Sequence, residues 1–453
     1  MALSRFESML KTNKVYFFDS LEFEEIIHHY IDDGRHSLAK KALKLGLEQH
    51  PTSMTLKLLK AELLVLDGGF QEAEKLLNEL QALEPTNEEV YIQRAAILSK
   101  RDQHLEAIDS LKTAMQYTND PADVLSLLAM EFLFLDNFEE ARLHFEKCLD
   151  IDPEDYASLY NLIYCYDMDE KHVAATAYLN KYLDVNPYCE IAWHQLGRQY
   201  MVTKDYEQAL RAFDYAVLID ESFIGGYLEK AKTLELLGRY KEAIENYVVT
   251  LQLDDPTAFV YQRIGGCYRK TNQQKKAIEF YNKAVVEDPL LDKAWVALSE
   301  LYFSKQDYSK SLYYIKKAIS IDEFNALYWT KCAEINLKLS FYEECIVAFK
   351  QSLSIEEQGL EIWLALVDVL YYLGDYKEAL KYLVKSKNTY KEAAAVEYRL
   401  FGLLMEVDQR GTALMHLKNG LALDFEFVQI AKELFPHFFK LKEVKSIVLE
   451  FQK

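Results

Sequence analysis

Proline and glycine are scarce in this chain, eight and fifteen among 453 residues, which excludes frequent turns and breaks and suits an almost wholly helical protein. Positive charge is also in deficit. Lysine and arginine number 52 against 72 acidic residues, a formal net charge of −20. Nonspecific nucleic-acid binding and anionic-membrane binding both need a basic field, so neither is expected, although a local basic patch is compatible with that total. No run approaches the ~18 apolar residues of a membrane span. The first residues, MALSRFESMLKTNKVYFFDS, show no basic segment followed by an apolar core, so no secretory signal is expected and the reading is a soluble, cytoplasmic protein. The six cysteines, Cys148, Cys165, Cys189, Cys267, Cys332 and Cys345, form no CxxC pair. Buried reduced thiols are the expectation, with a regulatory disulfide as the alternative. Catalytic signatures are missing too: no GxSxG, no HExxH and no phosphate-cradling glycine loop, since Gly225–Gly226 and Gly265–Gly266 lie in helix-forming pattern. No enzyme, cofactor or metal is expected.

What the chain does contain is a period. From Glu190 to Phe223, Trp193, Leu196, Gly197 and Tyr200 fall at i, i+3, i+4 and i+7. After a turn around Lys204 and Asp205, Tyr206, Ala209, Leu210 and Phe213 repeat that spacing, with Ala216 a further turn on. Each set places its side chains on one helix face, so two amphipathic helices are implied. Stepping from Ala209 in units of 34 lands on Ala39, Ala73, Ala107, Ala141, Ala175, Ala243, Ala277, Ser311, Cys345, Ala379 and Ala413. A small residue is needed there because two helices of one hairpin cross, and a longer side chain would hold their backbones apart.

Large residues keep the same beat. Sixteen positions before each small residue stand Phe23, Tyr91, Leu125, Leu159, Trp193, Tyr227, Tyr261, Trp295, Trp329 and Trp363, with Lys57 and Glu397 as exceptions. Four positions after it stand Leu43, Leu77, Leu111, Phe145, Leu179, Phe213, Tyr247, Tyr281, Ile315, Phe349, Leu383 and Leu417. Gly34, Gly68 and Gly69 mark turns between paired helices. A ring column follows the turns, His36, Phe70, His104, Phe138, His172, Tyr206, Tyr240, Tyr308, Tyr342 and Tyr376. Its histidines read as packing rings; they lie in different repeats and cannot converge on one metal.

A 34-residue helix–turn–helix with Trp193, Leu196, Gly197, Tyr200, Ala209, Phe213, Ala216 and a closing proline resembles the tetratricopeptide repeat family. The resemblance covers Ser20 to Phe427 as twelve units. The closing proline is present as Pro51, Pro85, Pro153, Pro187 and Pro289 and displaced at Pro121 and Pro256, while Glu221, Glu323, Glu357, Lys391 and Phe425 replace it elsewhere. It implies an all-α fold, a right-handed superhelical α-solenoid of stacked hairpins, in place of the two or three domains that this length otherwise suggests. Residues 1–19 are expected to form a lead-in helix through Leu3, Phe6, Met9 and Leu10, with Val15 to Phe18 leading to an N-cap at Asp19 or Ser20. Units one to three are the least regular, with Lys57, Lys60 and Arg94 at apolar positions and Gly46 at the place that Ala216 holds in the sixth unit. The twelfth unit is degenerate, with Glu397 and Phe401 off pattern. Residues 428–453 continue loosely as a C-terminal cap, broken near Pro436; the alternative is that Phe425, Phe427, Phe435, Phe438, Phe439 and Phe451 form an exposed docking or dimer surface.

By the same resemblance, the second, fifth, ninth and twelfth positions of each unit line a concave groove. The family's carboxylate-clamp and asparagine-ladder modes are not reproduced, for Asn161 alone holds the usual asparagine position. Units three to five present Ile92, Ala96, Met130, Leu133, Tyr160 and Tyr164, an apolar and aromatic strip able to grip a helix or extended segment. Units six to eight present His194, Arg198, Lys232, Arg263 and Arg269 among Glu229 and Glu235, and units nine to eleven turn acidic with Glu300, Glu334, Glu361 and Asp368. Two readings of the cationic group stand, ligand binding or pairing of Arg198, Lys232 and Arg269 with Glu229 and Glu235 across adjacent repeats. The expected function is a noncatalytic scaffold that binds protein or peptide segments in this groove. Its rival is a self-associating assembly protein, a homodimer included, that uses the convex face or the Phe-rich C-terminus.

Overall fold

Twelve helical hairpins follow one another at a spacing of 34 residues, with first helices beginning at Ser20, Met54, Glu88, Ala122, Tyr156, Glu190, Ile224, Ala258, Asp292, Ala326, Leu360 and Ala394. Second helices begin at His36, Phe70, His104, Phe138, His172, Tyr206, Tyr240, Gln274, Tyr308, Tyr342, Tyr376 and Arg410. The computed structural model describes residues 2–12, 16–254, 257–356 and 359–452, and among them there is no strand. Val15, Pro256 and Glu357 lie outside the described residues.

Helix starts have local causes. Asp19 caps the first hairpin through a reciprocal pair, its carboxylate accepting from the Glu22 amide while Glu22 accepts from Asp19. Asn137, Asp205, Asp307 and Asp375, spaced by multiples of 34, cap the second helices of their hairpins by accepting from an amide three residues on. The turn inside each hairpin has one further requirement. Its residue is left-handed at Gly34, Gly68, Asp102, Asp136, Glu170, Lys204, Gly238, Asn272, Gln306, Ser340, Gly374 and Asp408, with φ between 54° and 79°. This conformation closes the first helix, as where the Asp205 amide donates to the Tyr200 carbonyl at 2.9 Å and the Lys204 amide to Met201 at 3.2 Å. Only four of the twelve are glycines, so the sequence shows a third of the turns.

The small-residue column is fully buried at all twelve positions, including Ser311 and Cys345. The column four residues later is buried as well. The aromatic column sixteen residues earlier is mixed, for Phe23, Leu125, Leu159 and Trp363 are buried whereas Trp193, Trp295 and Trp329 are half-buried. Their indole N–H groups donate at 2.8, 2.9 and 2.8 Å to the carbonyls of Pro187, Pro289 and Glu323, and the Tyr91 hydroxyl reaches Pro85 at 2.8 Å. These rings lie over the junction between units and satisfy a helix-end carbonyl, so they retain a polar edge. Glu397, in the same column, is buried between Lys387 and His416, each 2.6 Å away. The histidines do more than pack, contrary to expectation. His104 Nδ1 lies 2.8 Å from Glu131 and His172 Nδ1 3.1 Å from Gln199, each in the following unit, while His36 is exposed.

The chain divides into two compact bodies, Met1–Thr233 and Leu234–Lys453. In the first, a helix over Ala2–Thr12 seats Phe6 and Met9 on Phe18, Phe23 and Tyr30. In the second, the helix Val428–Leu434 ends just before Pro436, and a short 3₁₀ turn and the helix Lys442–Phe451 follow. The Phe-rich terminus is not the exposed surface offered above. Phe435 lies against Tyr371 and over Gly402, where a Cβ would come within 2.3 Å of its ring; Phe438 and Phe439 pack on Phe401, and Phe427 stacks on Tyr398. Phe451 alone of the six is exposed. The reason is the preceding helix, Ala394–Glu406, buried on all sides from Val396 to Met405, which this segment covers. All six cysteines are unpaired and buried, and burial pushes the Cys267 and Cys345 thiols up to about 12.

Candidate functional site

First helices of neighbouring hairpins touch in the first body, the helix from Ser20 against that from Met54, and that from Met54 against that from Glu88. Side chains on their shared side line a trough there. Its best-defined part is a cavity of about 480 Å³, within the size range of ligand sites, whose walls include Val65, Leu66, Ile92, Ala96, Leu127, Met130 and Phe134. Ile92 and Met130, two of the expected groove residues, both lie in this lining. Asn161 is tied to the same wall, its amide nitrogen 3.7 Å from the Met130 sulfur. Tyr160 and Tyr164, on the first helix of the next hairpin, are not among the walls of this cavity; they are 41% and 48% exposed, with no hydrogen bond to either hydroxyl among the described residues.

Sequence reasoning missed Leu66, Leu127 and Phe134, which are 45%, 39% and 55% exposed. Leu66 and Phe134 occupy the thirteenth position of their units, one past the last groove position considered. A signal existed, since Leu66, Phe134, Met168, Val202, Leu236 and Tyr372 all share that column and all are exposed. Glu62 was missed as well. It lines the cavity with no ion pair or hydrogen bond among the described residues, and burial raises its pKa above the ordinary carboxyl value, with Glu89 and Asp32 adding and His28 opposing.

The cationic set is dispersed by its partners. His194 is not a groove cation: its ring sits 5.7 Å from Phe213 and 5.1 Å from Phe223, and both ring nitrogens are buried without a hydrogen-bond partner among the described residues. Burial lowers its pKa to about 4, which leaves it neutral at pH 7. Arg198 is exposed and held by one contact of 3.3 Å to Gln195. Lys232 pairs with Glu229 at 2.7 Å within its own helix, not across adjacent repeats. In the second body, Arg263 meets Glu235 of the preceding repeat at 2.9 Å. Arg269 does not pair with Glu229 or Glu235; it bonds Glu300 at 2.6 Å, and Lys331 holds the other oxygen of that carboxylate. Asp368 is likewise taken, by two 2.7 Å bonds from Arg399. The alternating charges of the second body are largely spent on one another. Among the described residues no group of three or more histidine, cysteine or acidic side chains is placed to hold a metal ion, and no helix is long and apolar enough to cross a membrane.

A stack of two-helix units in which each crossing is bridged by one small side chain defines an α-solenoid protein. Residues 122–155, 260–289 and 292–325 match the tetratricopeptide repeat family, and with twelve hairpins in one phase the chain is a tetratricopeptide repeat protein. It is 22% identical to anaphase-promoting complex subunit 3 of Schizosaccharomyces pombe, over 46% of this chain and 31% of that protein. It is 24% identical to a DnaJ homolog subfamily C member 7 homolog of Dictyostelium discoideum, over 45% of this chain and 34% of that one. A third relative, the human protein O-mannosyl-transferase TMTC1, is 26% identical over 37% of this chain and 20% of its own length. The chain thus spans less than half the length of these relatives. Among solved structures, the Cut9 and Hcn1 hetero-tetramer of the APC/C is 15% identical with a TM-score of 0.37, over 96% of this chain and 92% of that one. YrrB, described as a TPR protein with an unusual peptide-binding site, is 16% identical with a TM-score of 0.35, over 41% of this chain and 96% of that one.

Proposed function

We propose that this protein is a noncatalytic scaffold that holds segments of other proteins along the trough of its first helices, chiefly at units two to five. In this reading residues 20–427 are the twelve working repeats, and residues 1–19 and 428–453 cover the two ends. The observation that carries it is the partly open apolar cavity over Ile92, Leu127, Met130 and Phe134, with Tyr160 and Tyr164 exposed on the first helix of the next hairpin. Apolar side chains left open in a concave strip lose contact with water when a partner's side chains enter, which gives about 25 cal/mol per Å² removed. The unpaired carboxylate of Glu62, with Glu89 and Asp32 nearby, selects a segment that carries a lysine or arginine beside its apolar anchor.

The test is crosslinked affinity capture with wild type and with Leu127→Glu/Met130→Glu, using Tyr188→Glu as a control at an exposed site outside the trough. Loss of the captured segments in the double variant alone supports the groove. Equal capture by all three proteins removes it. One observation favours a second reading: Leu83, Tyr117, Ile151 and Val185 form a 34-step column of exposed apolar residues, three at the last position of a second helix and Tyr117 in the turn that follows one. Sedimentation at several concentrations decides whether that column joins two copies, because a concentration-independent monomer leaves it without that role.

A further inference from the structure

Away from the trough, the seam between the second helix of unit one, His36–Gln49, and the first helix of unit two, Met54–Leu66, holds a separate cavity of about 470 Å³. It opens where the repeat is broken by Lys60. That column is otherwise buried and apolar, with Ile26, Leu128, Leu162, Leu196, Ile264, Leu298, Cys332, Leu366 and Leu400, apart from two other cations, Arg94 and Lys230. Both of those are satisfied by the helix before them. Arg94 donates at 2.9 Å to Asn78 and to Gln81, and Lys230 pairs with Asp214 at 2.9 Å. The residue that stands in register with Asn78 and Asp214 at the first seam is Lys44. Two lysines therefore line one cleft, and neither has an ion pair or hydrogen bond among the described residues.

Below them the walls are Leu43, Leu47, Leu63 and Leu64. Of the other charges in the lining, Lys40 and Asp67 pair with each other at 2.5 Å, and Glu48 is the remaining acid. The cleft keeps one net positive charge in a chain whose formal charge is −20. Both walls are helices whose backbone groups are bonded within the helix, so an extended peptide finds no backbone partners there. We propose that this seam binds a small amphipathic anion: an acyl carboxylate whose head lies between Lys44 and Lys60 and whose chain lies along the leucines.

The probe is dodecanoate below its micelle concentration, titrated into the full-length protein by calorimetry, with butyrate as the head-group-only control. Wild type is expected to bind one dodecanoate saturably and butyrate at least about tenfold more weakly. Lys44→Asp, which recreates the Asp214–Lys230 arrangement, and Lys60→Leu, which restores the apolar column, are each expected to fold and to weaken dodecanoate at least about tenfold. The groove variant Leu127→Glu/Met130→Glu is expected to bind it as wild type does, so this site stands or falls apart from the scaffold reading. Three results each overturn the proposal: no saturable binding by wild type, unchanged affinity in both lysine variants while their helical circular dichroism is intact, or equal affinity for butyrate.

Discussion

Replacing His194 by phenylalanine tests how the first body treats a titratable group wedged between hairpins. The ring lies among Phe213 and Phe223, and neither nitrogen finds a hydrogen-bond partner among the described residues. Burial lowers its pKa from 6.5 to about 4, with Arg198 and Lys232 adding and Glu229 opposing. The folded chain thus refuses a proton that the unfolded chain accepts below pH 6.5. The stability at stake is fully present above pH 6.5 and is lost progressively as the pH falls through that value toward about 4. Between 6.5 and about 4, at 1.36 kcal/mol per pH unit, this comes to roughly 3–4 kcal/mol before a discount for the part of the residue that meets solvent. His194→Phe keeps a ring and removes both nitrogens, so it should gain about 1 kcal/mol at pH 7 and progressively more toward pH 4. Trp193 is the neighbouring residue and stacks on Tyr215 at 4.5 Å, which makes its fluorescence a local reporter during denaturant unfolding at a series of pH values. In a repeat array the effect stays with adjoining units, so the same chain with its other tryptophans changed to phenylalanine suffices. An imidazole resonance of His194 that titrates near 6.5, or parallel pH profiles for the two proteins, would refute the reasoning.

Three further outcomes follow from particular contacts. Glu170 holds φ at 55°, where an L side chain is strained, so Glu170→Gly should raise stability by about 0.5–1 kcal/mol, read as a shift in the thermal midpoint. Ala209 is fully buried at the hairpin crossing, and Ala209→Leu should cost about 1–3 kcal/mol by chemical denaturation, since it forces the helices apart. Phe435 covers Gly402 and meets Tyr371, so Phe435→Ala should cost about 3–5 kcal/mol and speed amide exchange in Ala394–Glu406 before any other helix, which a uniform exchange rate across the second body would contradict.

The repeat was legible from the sequence because it arises from contacts between helices that are close in the chain. A crossing that admits only a small side chain writes itself as Ala39 through Ala413, and the hairpin starts from Ser20 to Ala394 follow from the same count. Ile92 and Met130 come together in one cavity lining for the same reason, since position within a unit decides which way a side chain faces. Position alone does not decide surroundings. Glu170, Lys204 and Gln306 carry no mark of the left-handed turns they make, because the helices on either side impose the backbone there. His194 reads as a cation until Phe213 and Phe223 enclose it, Arg269 finds Glu300 in place of Glu235, and the C-terminal phenylalanines turn inward because Ala394–Glu406 has apolar residues on every side. Lys60 is a pattern error in the sequence and becomes one side of a cleft only when the packing sets Lys44 across from it. Periodicity records which residues meet within a repeat, whereas charge state, pairing and exposure depend on the side chain contributed by the next one, and that is decided only when the hairpins stack.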